Sequence, residues 1–195
     1  MAYIDFHPTI HAMGDEACAA ALIEGTLTEF VDRTLIETDG SAFRAIDSLT
    51  KVHLPNLTGI SMYSTMDDAS LSDVKIPKCT LAYNQAFVNN TAIKQMLFGA
   101  PCYFYGSTFK NCSSLETLVL AGRVLRSLES VVSFVGTPIA NGTGHIYVPR
   151  KMLDGSDGIA TYETATNWSS FAGQYRYIED YPEILAEVKE QAPWY

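Results

Sequence analysis

Three apolar series run through the middle of the chain on one spacing. Leu49, Leu71, Ile93 and Leu115 form the first; Val52, Val74, Met96 and Leu118 the second; Leu54, Ile76, Phe98 and Leu120 the third, and every step is 22 residues. Phe43, Phe87 and Phe109 hold the same grid, with Thr65 in the remaining place. The stretch QAFVNNTAIKQMLF at 85–98 is thus reworded as STFKNCSSLETLVL at 107–120. A worn copy precedes the series at Leu27 and Phe30, and a stretched one follows around Phe134 and Ile146–Val148. The unit L-x-x-L-x-L, read as LTKVHL, LSDVKI, IKQMLF and LETLVL, predicts a short strand. Alternate strand side chains turn inward, so Val52 and Leu54 face a core while Lys51 and His53 face out. One unit offers too little apolar surface to fold alone. Stacked units bury a continuous core and pair their strands in a parallel sheet. A period of 22 falls in the leucine-rich repeat range.

The pattern changes at both ends. Residues 1–26 leave the period, and GDEACAAALIEG predicts a helix of about ten residues with acidic residues first and Gly25 last. Ala17, Ala20, Ala21 and Leu22 would give it an apolar face, so the segment reads as an N-terminal cap or a docking arm. In PEILAEVKEQAPWY, the residues Ile184, Leu185 and Val188 have helical spacing. Trp194 and Tyr195 then form an aromatic terminus that either docks on another subunit or folds back on its own cap.

Composition narrows the classes. Of 195 residues, 47% are hydrophobic and 18% charged, enough apolar material for a sizeable core. The net charge of −9 gives no general attraction to phosphate backbones or anionic lipid, so no nucleic-acid partner is expected. No apolar run approaches the ~18 residues of a membrane span, so no membrane insertion is expected either. The first 25 residues lack a basic leader region, and Asp5, Asp15 and Glu16 interrupt any apolar one, so the chain is expected to start out in a cytosol. Cys18, Cys79, Cys102 and Cys112 form no C-x-x-C pair and read as reduced, buried thiols.

Candidate chemistry is sparse. Asp5, His7, His11 and Asp15 have a ligand-like spacing, but Pro8 breaks the single helix face that an H-x-x-x-H pair needs, so they read as surface residues. The glycine-rich ANGTGH at 140–145 precedes a strand and reads as a turn. No nucleophile–base, zinc or phosphate-cradling motif emerges, so neither an enzyme nor a cofactor is expected. The outward strand positions are the better lead: Lys51 and His53, Asp73 and Lys75, Gln95 and Leu97, Thr117 and Val119, His145 and Tyr147. In a continuous sheet they form one ladder, polar early and apolar later. From it His53, Lys75, Leu97, Val119 and Tyr147 are the candidate binding residues. The competing reading has the tail or a neighbouring subunit covering the apolar part. Tyr63, Tyr83, Tyr103 and Tyr105 mark a second candidate surface.

SAFRAIDSL, QAFVNNTAI and STFKNCSSL, each leading into a strand, resemble the BspA-like leucine-rich repeat family. That family places an alanine–phenylalanine pair and a polar N-C-x-x-L turn before a strand ending in proline. Pro55 and Pro77 match the proline, whereas Gly99 and Ala121 depart from it; Thr65 departs from the phenylalanine and predicts a loosely packed second repeat. The resemblance covers about 27–180. TPIANGTGHIYVPRKMLD, YETATNW and YIEDYPE look like the C-terminal cap of short members encoded by gut Firmicutes and their phages, with GSDGIA at 155–160 as an insertion and Trp168 plugging the open end. The fold so implied is an α/β-type solenoid, a BspA-like leucine-rich repeat with a short parallel sheet, about 22 residues per repeat and a cap at both ends. Its parts are 1–26 (cap or arm), 27–148 (solenoid), 149–182 (C-terminal cap) and 183–195 (tail helix and aromatic terminus). The function implied is a non-enzymatic binding or structural module on a virion, a phage tail or particle-surface protein assembled in the bacterial host cytoplasm. It would act in host-surface recognition or attachment, with other virion proteins and a host cell-surface protein or glycan as partners and several copies per particle. The alternative is a bacterial cell-surface or secreted adhesin.

Overall fold

The computed structural model describes residues 2–5, 12–13 and 27–195. The apolar grid becomes a stack: parallel sheets pile into a β-solenoid of about four turns with about 22 residues per turn. Each of the earlier turns sends one short strand to each of two ladders, and the last three rungs contribute to the first alone. The first ladder holds β1 (Ala2–Asp5), β3 (Leu27–Val31), β5 (Lys51–His53) and β7 (Asp73–Lys75) in one sheet. It continues with β9 (Gln95–Phe98), β11 (Thr117–Leu120), β12 (His145–Val148) and β13 (Tyr175–Tyr177) in another. The second ladder is a five-stranded sheet of two-residue strands: β2 (Ala12–Met13), β4 (Glu37–Thr38), β6 (Gly59–Ile60), β8 (Leu81–Ala82) and β10 (Tyr103–Phe104).

The sequence period is the sheet register. Val52 sits opposite Val74 and Leu118 opposite Met96, in parallel pairs. Regular pairing lapses between β7 and β9, where Ala100 N still donates to Pro77 O at 2.9 Å. The grid residues Leu49, Val52, Leu54, Leu71, Ile76, Ile93, Met96, Phe98, Leu115 and Leu118 are all buried in one core. The phenylalanine column stacks within it: Phe87 lies 5.4 Å from Phe109, and Phe109 5.4 Å from Phe134.

The polar turns have a conformational reason. Each carries two left-handed residues, at Ser41 and Ala45, Tyr63 and Asp67, Gln85 and Asn89, Ser107 and Asn111, with φ between 57° and 68°. Asn and Asp tolerate this region better than most side chains. They also stack: Asn111 Nδ2 donates to Asn89 Oδ1 (2.9 Å) and Asn89 Nδ2 to Asp67 Oδ1 (2.6 Å). Thr65 does not leave a slack turn. It is buried, its Oγ1 donates to Ala86 O (2.9 Å), and it accepts from Asn90 Nδ2 (3.0 Å). A hydrogen-bonded polar cluster stands where the grid would have a ring.

Among the described residues, the α-helices lie outside the repeats, at α1 (Gly158–Thr164) and α2 (Pro182–Gln191). The turns themselves run strand, corner, strand, corner. The first segment adds rungs rather than only covering one: β1 pairs with β3, Ala2 opposite Leu27 and Ile4 opposite Phe30, off the 22-residue period and with a register shift. The helix expected within 14–25, Cys18, His7, His11 and Asp15 lie outside the described residues, as does the side chain of Asp5.

At the other end Trp168 plugs the core. Its ring meets Phe104 at 6.0 Å and Tyr162 at 5.4 Å, and Nε1 donates to Arg126 O (2.9 Å). The GSDGIA stretch forms a local loop: Asp157 Oδ1 accepts from Ala160 N (2.9 Å) to cap α1, and a Lys151–Asp157 bridge closes it. The last strand is blunted. Arg176 Nη1 donates to Tyr175 O (2.7 Å) and Gly173 O (3.0 Å), so a cation occupies one carbonyl of the terminal strand and one of the turn before it. Cys79, Cys102 and Cys112 are buried and unbridged, and burial pushes the Cys112 thiol up to about 12.

Candidate functional site

The outward ladder divides into two halves. Leu97, Val119 and Tyr147 were expected as open binding positions, yet they are only 2%, 0% and 8% exposed. Helix α2 lies across them. Its Ile184 and Val188, one turn apart on one face, join Ile178, Leu97, Val119, Ala121 and Tyr147 in an apolar cluster separate from the main core. The geometry is commensurate. Ten helical residues span about 15 Å, and three strand spacings span about 14 Å. Tyr181 meets Tyr147 edge-on at 5.1 Å at one end, and Glu190 reaches Lys75 at 3.5 Å at the other. Between them Gln95 Nε2 donates to Glu187 Oε2. An apolar sheet face needs a cover, and here the cover is the chain's own tail; these three residues are the floor of an internal interface.

The terminus follows the same track. A Cβ built on Gly99 would stand 2.6 Å from Ala192 Cβ and 3.1 Å from Trp194 Cζ2. Glycine therefore replaces the proline of earlier turns because the tail lies against that corner. Tyr195 Oη donates to Glu179 Oε1 (2.8 Å), and burial together with that carboxylate raises the phenol well above its ordinary range. Trp194 keeps half its surface open (51%) with the Lys78 ammonium 5.9 Å from its ring. Both aromatic residues expected at a subunit contact thus pack against their own chain, Tyr195 more fully. Gly99→Ala is expected to loosen this seat by about 1–2 kcal/mol. Hydrogen exchange at residues 183–192 should accelerate about tenfold, with the amides of β11 and β12 unchanged. Unchanged exchange in the tail would show that Gly99 does not seat it.

The polar half is laced by half-buried ion pairs. Lys51 Nζ lies 3.1 Å from Glu29 Oε1, and His53 Nε2 lies 2.8 Å from Asp73 Oδ2, an ion pair whenever the imidazole is protonated. Where α2 ends, the ladder opens into a groove of about 520 Å³, with Val31, Arg33, His53, Pro55, Lys75 and Pro77 on the solenoid side and Glu190 and Gln191 as the helix wall. The groove brings together two of the five expected residues, His53 and Lys75. It adds Arg33, which occupies a corner of the worn first copy. Carrying the grid back one turn from Pro55 lands on Arg33, a signal the apolar series alone does not give.

The tyrosine surface is a packed column. Tyr83 and Tyr105 stack at 5.0 Å with planes 7° apart, Tyr103 tilts onto Tyr105 at 4.6 Å, and the Arg44 guanidinium sits 5.9 Å from the Tyr63 ring. Faces that stack on one another leave edges and hydroxyls for a partner. A further hollow of about 490 Å³ lies between the corners holding Val124, Leu125, Met152 and Leu153, the last 72% exposed. Among the described residues no group of three His, Cys, Asp or Glu side chains could hold a metal ion, and no helix is long and apolar enough to cross a membrane. No family model matches the chain, and neither a curated protein nor a solved structure does.

Proposed function

We propose that the chain is a BspA-like leucine-rich repeat module that binds rather than catalyses, carried on a virion surface as a tail or particle protein and used for attachment to a host surface. The repeat segments SAFRAIDSL, QAFVNNTAI and STFKNCSSL support the family reading. The observation that carries the binding reading is the division of the ladder: the tail seals the apolar half and leaves a groove of mixed character at His53 and Lys75. A stacked sheet holds such side chains at fixed spacing, which lowers the ordering cost of binding. Fluorescently labelled protein is expected to bind whole cells of a susceptible host, and Lys75→Glu to weaken that binding at least tenfold. Binding unaffected by Lys75→Glu and by His53→Ala would remove the ladder as the recognition face. The adhesin reading predicts sortase or secretion genes beside this one; the virion reading predicts genes for particle proteins.

A further inference from the structure

The groove beyond the tail helix continues a track that already holds one acidic segment. Along the occupied part, α2 lays Ile184 and Val188 on apolar ladder residues and turns Glu187 and Glu190 toward Gln95 and Lys75. The ladder does not stop where the helix stops. Val31, Pro55 and Pro77 continue the apolar strip, and Arg33, His53 and Lys75 bring cationic or protonatable groups to one side of it. Among the described residues no hydrogen bond or ion pair holds the Arg33 guanidinium. Among the described residues Lys75 is held only by Glu190, an exposed pair whose exchange for another carboxylate costs little. On a chain of net charge −9 the groove lining sets two cations, Arg33 and Lys75, against one carboxylate, Glu190, with Asp73 beside His53.

We infer that the groove is a docking site for an acidic peptide segment of a partner protein. Its aliphatic side chains would rest on Val31, Pro55 and Pro77, and its carboxylates would pair with Arg33 and Lys75. A forked guanidinium suits a carboxylate in two-point contact, which makes Arg33 the anchor. The inference rests on the binding reading above and adds the chemistry of the partner.

The test uses the full chain, labelled with ¹⁵N, and two blocked hexapeptides, LEELEE and its basic counterpart LKKLKK. LEELEE is expected to shift the amides of residues 31–33, 53–55 and 75–77, leaving those of β11 and β12 in place. Arg33→Glu should weaken binding at least tenfold. Raising salt from about 50 to about 500 mM should weaken it as well, because the contacts are exposed to screening. Three results would overturn the inference: equal shifts with LKKLKK, shifts confined to the β11 and β12 face, or no groove shifts at millimolar peptide. Glucuronate matching LEELEE in affinity would also count against it, since the site would then read a carboxylate alone. Loss of cell binding with LEELEE binding intact would refute attachment and leave the groove assignment standing.

Discussion

Phe109→Ala is expected to cost about 3–5 kcal/mol, enough to unfold a large fraction of a domain of ordinary stability. Phe109 is fully buried and is the meeting point of the aromatic core. It stacks on Phe87 (5.4 Å, 7°) and on Phe134 (5.4 Å, 25°), tilts against Phe104 (5.5 Å) and takes Phe98 edge-on (6.1 Å). Truncation removes a ring from all four at once and leaves a hole that neighbouring turns cannot close, because each is held in register by its own strand pairing. In a stack the lesion is local, so the turn at 107–120 and the cap resting on it should loosen before the early turns. Urea unfolding should show a lower midpoint, and hydrogen exchange should rise first in β11 and β12. Phe109→Leu, which keeps most of the volume, should lose about 1–2 kcal/mol. A loss below about 1 kcal/mol for alanine would mean that the rings do not form one packed column.

The aromatic column was legible because it is written on the same interval as the strands. Once Leu49, Leu71, Ile93 and Leu115 are seen to repeat, the pairing of Val52 with Val74 follows, since a parallel stack converts a constant interval into register. The second ladder was not legible. Strands as short as Gly59–Ile60 and Leu81–Ala82 carry no alternation, so periodicity has nothing to act on. The N-terminal rungs escaped for a related reason, lying opposite their partners at an interval other than 22 residues.

The site shows where sequence reasoning stops. Leu97 and Val119 announce that one face of the sheet must be covered, because exposed aliphatic residues in a row are costly. They cannot say by what: a tail in cis and a partner in trans satisfy the same hydrophobic demand. The residue that carries the answer is Gly99. As a departure from the proline of Pro55 and Pro77 it looks like decay of the repeat, whereas against Ala192 and Trp194 it is the space the tail occupies. Asp68 is similar. An Asp-Asp pair in a polar turn gives no sign of burial, but in the fold the position of Asp68 is one of an inward column.

That column is Ile46, Asp68, Asn90 and Cys112, one residue per turn, all buried. Asp68 Oδ1 accepts from Ile46 N (2.6 Å), and Asp68 N donates to Asn90 Oδ1 (3.0 Å). Asn90 finds a further partner in Thr65 Oγ1 (3.0 Å). One turn earlier the place of Thr65 belongs to Phe43, which offers no acceptor, and Asp68 Oδ2 has no hydrogen-bond partner among the described residues. Burial is the main reason the carboxyl is pushed up from its ordinary 3.8 to about 8; the Ile46 amide opposes it, and the charges of Asp67 and Asp47 add to it. The folded chain therefore keeps a proton that the unfolded chain has released. The contribution of Asp68 to stability is greatest below about pH 4, falls as pH rises to about 8 and is flat beyond. Each pKa unit carries about 1.4 kcal/mol, so the full difference is about 6 kcal/mol, and partial hydration of the ionised carboxylate reduces the expected loss to about 2–5 kcal/mol. Asp68→Asn keeps an oxygen for the Ile46 amide and removes the ionisation. The variant should match the parent near pH 4 and exceed it by about 2–5 kcal/mol near pH 8. Urea titrations of both chains across that range measure the difference directly, since every other titrating group is common to the two. A difference that stays constant with pH would show that Asp68 is ionised in the folded chain throughout, and that the polar column supplies Oδ2 with a partner.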